Sequence, residues 1–85
     1  MIRVLVVDDS PVARELLAHI LNSDPGIEVI GVADNGRDAV ECVRLSSPDL
    51  VTMDIHMPEM DGFEATQVIM ENNPVPIVIV TASSN

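Results

Sequence analysis

The sequence predicts an α/β domain built on a parallel sheet, and three observations carry that expectation. Short aliphatic runs alternate with stretches whose apolar residues recur at helical spacing, in the order β-α-β-α-β-α-β. The runs are almost continuously β-branched or aliphatic, as strands covered on both faces are. The connections span only a few residues, which suits right-handed crossovers with helices on both faces of the sheet.

The first strand is read over residues 2–7 and stops at Asp8-Asp9. Ser10 and Pro11 follow as N-cap and first helical residue, and Val12, Leu16, Leu17, Ile20 and Leu21 mark a helix up to Asn22. Asp24-Pro25-Gly26 breaks it. A second strand runs from Ile27 to Ala33, where Gly31 points to a close backbone approach or a local bend. Asp34-Asn35-Gly36 then turns the chain into a helix over 37–45, with Ala39, Val40, Cys42 and Val43 on its apolar side and Ser46-Ser47-Pro48-Asp49 as its stop. The third strand is 50–54. Pro58 forbids continued pairing, Asp61-Gly62 opens a third helix, and Phe63, Thr66, Ile69 and Met70 are expected to face inward. Pro74 ends that helix, and Pro76 admits only the start of a strand, so the fourth strand is 77–80, closing on Thr81.

Eighty-five residues make one domain, 1–85, and a chain of this length buries roughly two thirds of its unfolded surface. The formal charge of -10, from four arginines against fourteen acidic residues, repels phosphate backbones and anionic lipid alike. Direct nucleic-acid and membrane binding are therefore disfavoured. A single cysteine, Cys42, allows no internal disulfide and falls in a helical apolar pattern, which fits a reduced, buried thiol and a cytoplasmic setting. No run is apolar for long enough to cross a bilayer.

The chemistry gathers around residues 50–62. An Asp at the end of a strand is ordinarily a turn residue, and Asp8-Asp9 before a helix ordinarily favours the helix dipole. If strands one and three are neighbours, however, Asp8, Asp9 and Asp54 meet at one end of the sheet, where ligands of open parallel sheets bind. Carboxylates so placed raise one another's pKa or require a cation, and hard oxygen donors describe Mg²⁺. An Asp beside such a cation can attack phosphorus to form an aspartyl-phosphate. Thr81, at a strand end on the same rim, could donate its hydroxyl to the phosphoryl group.

Val-Leu-Val-Val-Asp-Asp-Ser (4–10), Pro-Asp-Leu-Val-Thr-Met-Asp-Ile-His-Met-Pro-Glu-Met-Asp-Gly (48–62) and Ile-Val-Ile-Val-Thr-Ala (77–82) resemble the receiver domains of bacterial two-component response regulators. Within them the chain is most similar to receivers of chemotaxis protein-glutamate methylesterases, through residues 51–62 and 69–77. The resemblance implies a flavodoxin-like doubly wound sheet of order 2-1-3-4. It implies a phosphoacceptor at Asp54, supplied by a histidine kinase of chemotaxis type, and a Mg²⁺ held by Asp9, Asp8, Asp54 and the backbone carbonyl of His56. Asp8 would often act through water. Thr81 matches the switch hydroxyl, and Pro58 and Gly62 match the residues that shape the adjoining loop.

Receivers of this kind continue through a fifth strand carrying a Lys that contacts the phosphoryl group, and this sequence has no Lys. The expectation is a truncated receiver that is regulatory rather than enzymatic. A receiver-shaped scaffold that is never phosphorylated is the alternative. A Mg²⁺-dependent phosphatase is disfavoured because His56 stands where such enzymes carry a second acid. A flavin-phosphate module is disfavoured because Asp8-Asp9 would repel the phosphate. A chain ending at Asn85 would leave strand four poorly covered and is expected to self-associate through it. Sedimentation at high concentration checks this, and a clean monomer would refute it.

Overall fold

Strands β1 (Ile2–Val7) and β3 (Leu50–Asp54) lie side by side inside a four-stranded parallel sheet, with β2 (Ile27–Ala33) beyond β1 and β4 (Ile77–Val80) beyond β3. The computed structural model describes residues 1–80. The order β2-β1-β3-β4 is the doubly wound, flavodoxin-like arrangement. The central strands read as unbroken apolar runs because both of their faces are covered: Val4 to Val7, Val51 and Met53 are all buried.

Helices α1 (Pro11–Asn22), α2 (Gly36–Ser46) and α3 (Gly62–Asn72) each begin just beyond the carboxyl end of a strand. Each has a side-chain N-cap. Ser10 Oγ accepts from the Ala13 amide at 3.3 Å, Asn35 Oδ1 from Asp38 at 2.8 Å, and Asp61 Oδ1 from Glu64 at 2.9 Å, with Glu64 reaching back to complete a capping box. A cap of this kind contributes about 1 kcal/mol. The Asp34-Asn35-Gly36 turn is thus partly helix, with Asn35 as cap and Gly36 as the first helical residue.

The main core lies on the α2 and α3 side, where Leu5, Val7, Val51 and Met53 meet Ala39, Val43, Ala65 and Ile69. Strand alternation turns Val4, Val6 and Thr52 to the opposite face, where α1 packs on β1 and β2. Two expectations of inward-facing residues are corrected. Phe63 is 61% and Met70 48% exposed. The buried stripe of α3 is Gly62, Ala65 and Ile69, and the close approach of Gly62 to β3 fixes the rotation of the helix, so the residue after it turns outward. The apolar stripe of α1 is also open, since no α1 residue is fully buried and Val12, Leu16 and Ile20 are exposed.

Gly31 marks a bend rather than a tight approach. Val4 pairs with Val29 but Leu5 with Gly31, so Ile30 is an extra residue in β2, and a Cβ at Gly31 would meet Leu5 at an ordinary 3.7 Å. Cys42 is half-buried and unpaired. Burial, then Asp38 and Glu41, push its thiol up, which keeps it in the unreactive form.

Thr52 is 6% exposed, and its hydroxyl has no hydrogen-bond partner among the described residues. A buried hydroxyl left unpaired costs roughly 1–3 kcal/mol. Thr52→Val, which keeps the shape, is expected to raise stability by about 1 kcal/mol in urea denaturation. A loss of stability would reveal a partner for the hydroxyl.

Candidate functional site

Parallel pairing in register places Val7 beside Met53, so Asp8, just past the end of β1, comes level with Asp54, the last residue of β3. Asp9 follows at the mouth of the β1–α1 turn. The carboxylate oxygens of Asp8, Asp9 and Asp54 lie within 4.8 Å of one another. Asp54 is 8% exposed, Asp8 half-buried and Asp9 exposed, so the cluster opens to solvent from a buried acceptor.

The turn holds Asp8 at three points. Its amide donates to the Ala33 carbonyl at 3.0 Å, its Oδ1 accepts from the Ser10 amide at 2.9 Å, and its carbonyl accepts from Arg14 Nη1 at 2.9 Å. Asp54 Oδ1 accepts from the His56 amide at 3.3 Å. The His56 ring is exposed, and no described residue donates to the His56 carbonyl. Burial first, then the charge of Asp8, push the Asp54 carboxyl above the usual carboxylate range; Asp9 adds to the rise and the His56 amide opposes it.

The loop from His56 to Asp61 is clamped at two glycines. A Cβ on Gly62 would lie 2.2 Å from the Asp54 carbonyl oxygen, and one on Gly36 would lie 2.3 Å from the Met60 carbonyl oxygen. Gly62 also donates to the Ile55 carbonyl at 3.0 Å. Between the clamps Pro58 is exposed, Met57 is buried and Glu59 is left-handed at φ 66°, a strained conformation for a residue with a side chain.

The structure thus brings together Asp8, Asp9, Asp54 and the His56 backbone, with Gly62 against the backbone of Asp54 and Ile55 and Pro58 in the loop; Thr81 lies outside the described residues. Sequence reasoning missed Arg14, Gly36 and Glu59. Asn-Gly at 35–36 signals a turn, but nothing local shows that the glycine faces a loop more than twenty positions onward. The donor set is all carboxylate and carbonyl oxygen, and mutual repulsion is relieved by a cation, so these residues fit Mg²⁺.

A family model described as the response regulator receiver domain matches residues 4–85. The protein-glutamate methylesterase/protein-glutamine glutaminase of Nitrosospira multiformis is 59% identical over 85 residues, 100% of this chain and 24% of that protein. The chain therefore spans about a quarter of the length of the curated relatives it matches, and the lack of Lys is a property of this stretch. The response regulator domain of Thermotoga maritima CheB superposes with a TM-score of 0.95 at 44% identity, over 96% of this chain and 61% of that one. A CheX-CheY-BeF3-Mg²⁺ complex from Borrelia burgdorferi gives 0.89 at 33% identity, over 99% and 64%.

The raised Asp54 pKa carries a stability prediction. The folded chain holds this proton more tightly than the unfolded chain, so the contribution of Asp54 is most favourable below about pH 3.9 and is lost as pH rises through its folded pKa. Asp54→Asn removes that loss. In chelator the variant is expected to be more stable than the wild type at pH 7, with the gain vanishing below about pH 3.9. Urea denaturation at the two pH values checks this, and an equal difference at both would contradict it.

Proposed function

The chain belongs to the response regulator receiver domain family, and on that premise we propose that residues 1–85 are the receiver part of a chemotaxis-type response regulator, taking a phosphoryl group from a histidine kinase onto Asp54. The observation that carries the proposal is the meeting of Asp8, Asp9 and the buried Asp54 within 4.8 Å at the carboxyl ends of β1 and β3.

An Asp54 carboxylate oxygen forms the bond to phosphorus as the bond from phosphorus to the donor imidazole nitrogen breaks. The imidazole keeps that electron pair and takes a proton from solvent. Asp9, Asp8 through water, Asp54 and the His56 carbonyl would hold Mg²⁺, which when bound supplies positive charge to the phosphoryl oxygens. The His56 amide orients Asp54, and the clamped loop keeps the carboxylate facing the cluster. Thr81 serves as the switch hydroxyl. The domain is regulatory, and the methylesterase or glutaminase activity in the relatives' names would be the output of the longer protein, in the cytoplasm. No described helix is long and apolar enough to cross a membrane. Exposed Val78, Ile79 and Val80 support self-association of the isolated stretch along β4.

Acetyl phosphate with Mg²⁺ is expected to label the protein with acid-stable, base-labile phosphate. Asp54→Asn or chelation should abolish the label, and Asp9→Asn should weaken Mg²⁺ binding by at least about tenfold. Undiminished labelling of Asp54→Asn would overturn the assignment. An unlabelled wild type would favour the scaffold reading.

A further inference from the structure

Arg14 stands in the first turn of α1, and its guanidinium reaches back to the last residue before the acidic turn. Nη1 donates to the Asp8 carbonyl at 2.9 Å, while the Arg14 amide donates to the Ser10 carbonyl at 2.9 Å. Arg14 thereby closes a ring from the end of β1, through Asp9 and Ser10, into the helix. The side chain is half-buried in a groove shared with Val32, Ala33, Asp34 and Asp38.

Two roles are open to a cation in this position. It could lower the negative potential as a charge, or it could fix the turn as a hydrogen-bond donor. The partners decide between them. Asp34 and Asp38 line the same groove, yet Arg14 forms no ion pair among the described residues, and its hydrogen bond goes to a neutral carbonyl. The groove is lined by residues of β2 and the turn after it, on the side of β1 opposite to β3, the strand that carries Asp54.

The Asp8 carbonyl belongs to the peptide unit that joins Asp8 to Asp9. Because that unit is planar, holding its oxygen fixes where the Asp9 amide and Cα sit, and so the point from which the Asp9 side chain starts. Asp8 has further anchors in the Ala33 carbonyl and the Ser10 amide. Asp9 is exposed and is the outermost member of the cluster, so its aim depends most on this peptide plane.

We propose that Arg14 is a positioning residue for the divalent-cation site, acting through the Asp8–Asp9 peptide and not through its charge. The proposal rests on the cation-holding role given above to Asp8, Asp9 and Asp54. Its sign separates it from an electrostatic role. Removing a nearby positive charge alone would tighten cation binding, whereas freeing the peptide plane loosens it.

The test is a calorimetric titration of the full chain with Mg²⁺, alongside the metal-free ¹⁵N shift of the Asp9 amide, which responds to hydrogen bonding at the preceding carbonyl. Arg14→Met is expected to weaken Mg²⁺ binding roughly tenfold and to move the Asp9 resonance. Arg37→Met, which removes an equal charge from the exposed side of α2, should do neither. Arg14→Lys keeps the charge but shortens the reach, and it should also weaken binding and move Asp9; it decides the matter if the Met variant does not fold. Binding by either Arg14 variant that equals or exceeds the wild type, or an unmoved Asp9 resonance, would overturn the proposal. A wild type that takes up no Mg²⁺ would instead overturn the cation reading beneath it, while the Asp9 shift still reports whether Arg14 sets the turn.

Discussion

Repulsion among three carboxylates is the constraint on which this molecule is built. Parallel pairing of β1 with β3 delivers Asp8 and Asp54 to the same end of the sheet, and the β1–α1 turn adds Asp9. Nothing in the aliphatic core needs that arrangement. Burial first, and then the neighbouring carboxylates, raise the Asp54 pKa and leave the folded state at neutral pH less stable than the same sheet with a neutral residue there. The surroundings resist it with backbone hydrogen bonds to Asp8 and Asp54, N-caps that start all three helices on this rim, and two glycines where side chains would push the loop away. Such local strain, set in a well-packed scaffold, is the usual mark of a functional site.

The strands and their order of succession were legible because a strand buried on both faces has to be apolar at nearly every position. Val4 to Val7 leaves little else to infer. The acidic site was legible once β1 and β3 were taken as neighbours, since two strand ends then share one location. Helix caps were legible too, because Ser10 and Asp61 act within three residues of themselves.

What stayed hidden depends on packing between distant segments. The rotation of α3 is set by the Asp54 carbonyl against Gly62, and this exposes Phe63 against its hydrophobicity. The need for glycine at position 36 comes from Met60, on another loop. Arg14 looks like an ordinary helical cation until its guanidinium is seen folded back on the preceding strand. The left-handed Glu59 has no signal in the sequence, because Glu seldom adopts that conformation without a reason lying elsewhere.

The two flanks of the sheet differ in one respect that follows from the extra residue Ile30. A bulge twists the outer strand and spoils the regular spacing of its free amides and carbonyls, so β2 is a poor template for a newcomer. Strand β4 pairs with β3 residue for residue from Ile77 to Val80 and has no such irregularity. Of the two margins of this sheet, β4 is therefore the more regular template for backbone pairing, and the kink beside Ile30 leaves β2 the less regular one.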